Sequence, residues 1–232
     1  MSEQHPEQTK HLFGKTYQGY DLPDGSYVPG AKYAPDPRTV WGWQLRGLQE
    51  GRNRDATFSW EGKRVLDLAG NNGYHGLRAL REGAAAATLV EQSSDAAAKA
   101  AEIAKEWDLP LHVKRRDIEN HPWDKHALEE PFDVIFAHQV LYHLARPIPL
   151  LRRACKALRH GGSICIHSRI AVHVHEKHWE WVPTLHTMEE TLRYVGFSQV
   201  RFTGDARLLA ALRRRNPPDE RGQHKVMVVA HR

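Results

Sequence analysis

The chain has 232 residues, 41% of them hydrophobic and 26% charged, a length that suits one domain better than two and a composition that excludes a disordered or fibrous protein. Lysine and arginine outnumber aspartate and glutamate by 33 to 28, for a formal net charge of +5; this mild basicity permits an anionic partner without requiring one. Two cysteines, Cys155 and Cys165, supply neither a disulfide framework nor a four-cysteine zinc site, so a reducing, cytoplasmic setting is expected. The opening MSEQHPEQTKHLFG has no apolar targeting core, and no uninterrupted apolar run reaches the ~18 residues of a membrane span, so no membrane partner is expected.

Residues 1–60 read as an arm or lid over an active site, because Pro23, Pro29, Pro35 and Pro37 interrupt them and only 39–49, with Trp41, Trp43, Leu45 and Leu48, has a helical pattern. From Arg64 the chain becomes regular: an apolar run at 65–68, a Gly/Asn loop, a helix to Glu82 and an apolar run at 88–90. The alternation continues with a helix at 94–107, strands at 111–114 and 132–137, and a helix at 148–159 ending on Gly161-Gly162. A strand at 163–167, a helix at 187–195 capped by Gly196, and two β-like runs at 199–203 and 225–230 complete it; the last two suit an antiparallel pair at a sheet edge. This rhythm predicts an α/β fold, a doubly wound and mostly parallel sheet with helices on both faces.

Ligands of such sheets bind beyond the carboxyl ends of the strands, which directs attention to the loop Asp67-Leu68-Ala69-Gly70-Asn71-Asn72-Gly73. It lacks the G-x-G-x-x-G of dinucleotide sites, and Asp67 at the strand end would repel a pyrophosphate, so a cationic ligand is the better match. S-Adenosyl-L-methionine carries an ammonium and a sulfonium and no phosphate. Glu91 ends the second strand at about the offset where an acid takes ribose hydroxyls, and Asp117 follows the third strand, where a carboxylate can accept from an adenine amine.

Here the sequence resembles a family. The stretch 64–170 is similar to class I S-adenosylmethionine-dependent methyltransferases in VLDLAGNNG, Glu91, Asp117-Ile118, FDVIFAHQVLYHLARP and the Gly-Gly before the fifth strand, and a terminal Gly-Phe-x-x-Val extends the likeness. The resemblance implies a Rossmann-like methyltransferase domain over 61–232, with a seven-stranded sheet in the order 3-2-1-4-5-7-6 and strand seven antiparallel. It also implies S-adenosyl-L-methionine as cofactor, held by Asp67, Ala69, Gly70, Gly73, Glu91, Gln92, Asp117 and Ile118, with the backbone of His138 at its methionine end. Further matches, in DLPDGSYVPG (21–30), Trp41-Gly42-Trp43, NNGYHG and WVPTLHTMEETLRYVGF (181–197), resemble the branch containing the tRNA wobble-uridine methyl and carboxymethyl transferases. The loop departs from that pattern at Ala69, which is accommodated if its φ is negative, and at Asn71, which suits a left-handed turn. No counterpart of the extra N-terminal domain of those tRNA enzymes is expected here. A small polar or partly aromatic acceptor, methylated on oxygen or nitrogen, is therefore expected ahead of tRNA, in a monomer or homodimer. A nicotinamide oxidoreductase and a non-catalytic RNA-binding module are the rival readings.

Four residues are candidates for the methyl-transfer side: His138 after the fourth strand, Tyr142 and His143 one turn later, and His167 at the end of the fifth. Imidazole suits proton abstraction near neutrality, and His143 leads because His138 is engaged with the cofactor. His173, His175 and His178 invite a metal, but no aspartate cluster completes a site and none is expected; with Trp179 and Trp181 they suit a substrate surface or a core stripe. Arg152, Arg153, Lys156 and Arg159 read as a solvated helix face, whereas Lys114-Arg115-Arg116 and Arg213-Arg214-Arg215 suggest phosphate contacts.

Overall fold

Apolar runs with β-branched residues, separated by amphipathic segments, assemble into one sheet between two helical layers. The computed structural model describes residues 18–22, 25–30, 36–50, 58–120, 123, 130–171, 181–213 and 224–232. A two-stranded hairpin, β1 (Tyr20–Asp21) and β2 (Tyr27–Val28), precedes helix α1 (Pro37–Glu50). Then come β3 (Arg64–Leu68), α2 (Tyr74–Arg81), β4 (Ala86–Glu91), α3 (Ser94–Glu106), β5 (Leu111–Arg115) and β6 (Phe132–His138). A 3-10 turn (Leu141–His143) leads to α4 (Pro147–Ala157), β7 (Leu158–Ile170), α5 (Leu185–Val195), β8 (Gln199–Thr203), α6 (Ala206–Arg213) and β9 (His224–His231).

Strands β3 to β9 form one sheet in the order β5-β4-β3-β6-β7-β9-β8, parallel except for β9, which runs antiparallel to both of its neighbours. Numbered within the sheet this is 3-2-1-4-5-7-6, the order that the family resemblance implies. Central β6 is buried along its whole length, as a strand covered on both faces must be. One face packs Leu66, Ile135, Ile164 and Val228 against Leu151 of α4 and Leu192 of α5. The other packs Val65, Val134, Phe136, Cys165 and Val229 against Trp41 and Leu48 of α1 and against Trp60.

Two expectations need correction. The helix expected over 148–159 stops at Ala157, because Leu158 already pairs with Phe132 across a shift in register, and Gly161, at φ 72°, lies inside this irregular start of β7. Helix α6 was not expected; Asp205 starts it by accepting from the amides of Arg207 (2.8 Å) and Leu208 (3.0 Å), and Leu209 and Leu212 bury its inner face. Residues His173, His175, His178, Trp179, Arg214 and Arg215 lie outside the described residues. Among the described residues no helix is long and apolar enough to cross a membrane, and both cysteines are free and buried.

Helix α1 lies so close to β9 that a Cβ on Gly47 would stand 2.4 Å from Cγ2 of Val229. Gly47→Ala is therefore expected to destabilise the protein by ~1–3 kcal/mol through overpacking, more than offsetting its better helix propensity. Urea unfolding of parent and variant checks this.

Candidate active site

The turn from β3 into α2 is built around a buried charge. Asp67 is 0% exposed, and its Oδ2 accepts a hydrogen bond from the Gly76 amide at 3.1 Å. A Cβ on Gly70 would fall 2.4 Å from the carboxylate carbon, so the loop can close over Asp67 only with glycine there. Both flanking residues are left-handed, Ala69 at φ 52° and Asn71 at φ 54°. The negative φ expected for Ala69 is thus not found: its amide is tied to the Val90 carbonyl at 2.8 Å, and the turn that follows needs the left-handed conformation. Asn71 tolerates it well, its Oδ1 accepting from the Asn72 amide at 2.9 Å.

Burial pushes the Asp67 carboxyl up to about 7; the Gly76 amide opposes this and the nearby Glu91 carboxylate adds to it. A carboxyl raised from 3.8 to about 7 on folding contributes stability that is fully present below pH ~4 and is lost as pH rises through ~7. Asp67→Asn escapes that loss, so without cofactor its thermal stability relative to the parent is expected to improve from pH 5 to pH 8, by on the order of 2 kcal/mol. Parallel melting curves across that range measure it, and a constant difference would contradict the buried-carboxylate account.

At the next strand end Glu91 is 6% exposed; its Oε2 accepts from the Asn71 amide (2.9 Å) and its Oε1 from the Ser93 amide (2.8 Å). One carboxylate thereby fixes both the glycine loop and the start of α3, while each oxygen keeps a lone pair. Beyond β5, Asp117 accepts from the Glu119 amide (2.8 Å) and from Asn120 Nδ2 (2.6 Å). The Ile118 carbonyl accepts from Trp123 Nε1 (2.9 Å) and from Arg153 (3.1 Å). Arg153 is accordingly an exception to the solvated face read for α4: it braces the loop that carries Asp117.

These strand ends open into one cavity of about 390 Å³, within the range of small-molecule sites. Of the residues expected from sequence, Ala69, Glu91, Gln92, Asp117 and Ile118 line one part and His138, Tyr142 and His143 the other. Asp67, Gly70, Gly73 and His167 do not line it; the first three lie in and under the loop, and His167 stands behind His138. Sequence reasoning missed Gln18, Gln139 and Glu119 in the lining. Gln18 belongs to the N-terminal segment that straps the loop: its Oε1 accepts from the Tyr74 amide (3.3 Å), and the Tyr20 hydroxyl donates to the Asn72 carbonyl (2.5 Å). No local pattern in that proline-broken segment signals this contact.

On the other side three imidazoles gather. His138 and His167 are register partners on β6 and β7 with ring centres 6.3 Å apart, and His75 of α2 stands edge to face on His138 at 3.9 Å. Burial pushes all three down, with neighbouring His167 and Arg78 adding to this for His75 and His75 and His167 for His138; His167, also near Lys225, falls to about 3. Such rings stay neutral at pH 7 and are weak bases. His143 is exposed on the cavity wall beside Tyr142, whose own side chain turns inward and donates to Gln139 Oε1 at 3.3 Å. That oxygen also accepts from Lys225 Nζ at 2.7 Å. Among the described residues no group of histidine, cysteine and acid side chains is placed to hold a metal ion.

Comparison with known proteins agrees with this fold. A family model described as a methyltransferase domain matches residues 59–211. The tRNA U34 carboxymethyltransferase of Chromohalobacter salexigens is 28% identical over 144 residues, which is 57% of this chain and 38% of that protein. The chain spans about half or less of the length of the curated relatives of that description. Among solved structures, an S-adenosylmethionine dependent methyltransferase from Mesorhizobium loti superposes with a TM-score of 0.58 at 17% identity, covering 81% of this chain and 96% of that one. The N-terminal domain of EvdMO1 with SAH bound gives a TM-score of 0.62 at 17% identity over 97% and 94%. At such identities the likeness is one of fold.

Proposed function

The chain belongs to the class I S-adenosylmethionine-dependent methyltransferase family, and on that premise we propose that it transfers a methyl group from S-adenosyl-L-methionine to an oxygen or nitrogen of a small polar acceptor. The observation that carries this reading is the meeting of Glu91, Asp117 and the end of β6 in one cavity, beside a loop too tight for a side chain at Gly70. The donor set fits the cofactor. Glu91, held by two backbone amides, keeps two acceptor sites for the vicinal hydroxyls of a ribose, and Asp117 accepts from an exocyclic amine while buried Ile118 offers apolar contact to a ring. Carboxylates at 67, 91 and 117 favour a ligand carrying ammonium and sulfonium charge.

When bound, the cofactor supplies a methyl group on a sulfonium centre, and alignment of the acceptor with it supplies much of the rate. Asp67 acts from beneath, as a positioning residue that shapes the loop. His143 takes the acceptor's proton, and Gln18, in the N-terminal segment before α1, closes one side of the site. Free, buried Cys155 and Cys165 support a cytoplasmic setting. A second reading, methyl or carboxymethyl transfer to the wobble uridine of tRNA, is favoured by the relatives at 28% identity; tRNA binding that weakens steeply with salt would put it first.

Two measurements test the proposal. Glu91→Ala is expected to weaken SAH binding in calorimetry by roughly ten- to a hundredfold, the loss of ~1.5–3 kcal/mol from hydrogen bonds to a charged group; unchanged affinity would remove the ribose assignment. His143→Gln keeps size and hydrogen bonding and removes basicity, so turnover is expected to drop ~10²–10⁴-fold at nearly constant SAH affinity. Retention of most activity would leave alignment alone as the source of catalysis.

A further inference from the structure

The turn that carries Tyr142 and His143 has little of its own to hold it. Within it the His143 amide donates to the Val140 carbonyl at 2.9 Å and the Leu144 amide to the Leu141 carbonyl at 3.3 Å, a single 3-10 turn with the poorer hydrogen-bond geometry of its class. It runs on into α4, whose N-cap residue Arg146 makes no side-chain cap and whose first residue, Pro147, has no amide to donate. The two amides before that proline go to an acid from another loop: Glu119 Oε2 accepts from Ala145 at 3.2 Å and Oε1 from Arg146 at 2.6 Å. The α4 dipole favours that negative charge. Glu119 follows β5, and its own amide donates to Asp117 Oδ1 at 2.8 Å. Asn120 closes a ring, donating from Nδ2 to Asp117 Oδ2 at 2.6 Å and accepting at Oδ1 from Arg146 Nη2 at 2.8 Å. A helix cap alone needs no such ring, since Ser, Thr, Asp or Asn at position 146 would supply it locally.

We infer that Glu119 and Asn120 are positioning residues that couple the adenosyl end of the cavity to its acceptor end, an inference that rests on the methyl-transfer site proposed above. Asp117, Glu119 and His143 all line that cavity, and the ring joins the first to the stretch leading out of the turn that bears the last. An adenine amine bound to Asp117 immobilises the carboxylate from which both arms of the ring start, Glu119 through its amide and Asn120 through its side chain. The arms then hold Ala145 and Arg146, and with them the end of the turn that presents His143. An acceptor that meets this turn already ordered gives up less conformational freedom on binding. Cofactor and acceptor therefore bind with positive cooperativity, and by linkage each raises the affinity for the other by the same factor.

The test uses adenosine as the probe, because it carries the adenine and the ribose and lacks the methionine end of the cofactor. Solvent exchange of single amides is followed by NMR in the full chain. In the parent at saturating adenosine, the amides of Ala145 and Arg146, neither of which lines the cavity, are expected to exchange about tenfold or more slowly than in the free protein. Asn120→Ala opens one arm of the ring and leaves the Glu119 cap in place. It should bind adenosine within about tenfold of the parent and yet lose most of the added protection at both amides. Glu119→Gln, which has one acceptor oxygen for two amides, should lose it as well. Were Glu119 only a cap for α4, Glu119→Gln would lower the melting temperature while Asn120→Ala answered adenosine as the parent does, and that pair of results would overturn the inference. Unchanged exchange at both amides in the adenosine-bound parent would overturn it too, whereas a parent that binds neither adenosine nor SAH would overturn the cofactor reading beneath it.

Discussion

The site rests on the burial of one carboxylate. Asp67 sits at the end of β3 with no exposure to water, takes the Gly76 amide at the start of α2, and occupies the space in which a side chain at position 70 would lie. The strand end, the loop and the helix start are thereby set relative to one another. The loop passes this order on: the Asn71 amide reaches Glu91, and Glu91 in turn holds the Ser93 amide at the start of α3. The N-terminal segment closes over the same loop through Gln18 and Tyr20, and Asp21 fixes it to α2 through Arg78 at 2.6 Å and the Tyr74 hydroxyl at 2.9 Å. A charge buried without a cationic partner weakens the fold, and the strain at left-handed Ala69 adds to that cost. Such costs are commonly concentrated where a protein binds or reacts.

Much of this could be read from the sequence, because it depends on local periodicity. Within FDVIFAH, Val134 to Ala137 is a continuous apolar run with a polar residue at each end, as a doubly covered strand allows. The offset from Asp67 to Glu91 spans one β-α-β unit, so both acids had to arrive at neighbouring strand ends, and their parallel register follows. The final antiparallel pair was legible for the same reason. Glu91 and Asp117 both reach the cavity expected from their positions, as do His138, Tyr142 and His143.

What was not legible depends on contacts between distant residues. No local signal tells whether Ala69 has a positive φ; that is decided by its bond to Val90 on the adjacent strand. Asp67 could be placed at a strand end from sequence, but its position under the loop instead of on the cavity wall emerges only when Gly70 closes over it. His75 looked like an ordinary helix residue in NNGYHG until α2 packed it onto His138. Arg153 had the spacing of a solvated face, yet the loop after β5 passes within reach of it. The early start of β7 at Leu158 likewise reflects pairing with Phe132, 26 positions earlier in the chain, where helical spacing alone would have carried α4 further.

The central claim is that the three strand ends form a single adenosyl-binding cavity organised by the loop over Asp67. A crystal structure of the full chain with SAH tests it most directly. The account predicts SAH in the 390 Å³ cavity, with both ribose hydroxyls within hydrogen-bond distance of the Glu91 carboxylate and the adenine amine at Asp117. SAH bound elsewhere, or a ribose that leaves Glu91 untouched, would contradict it.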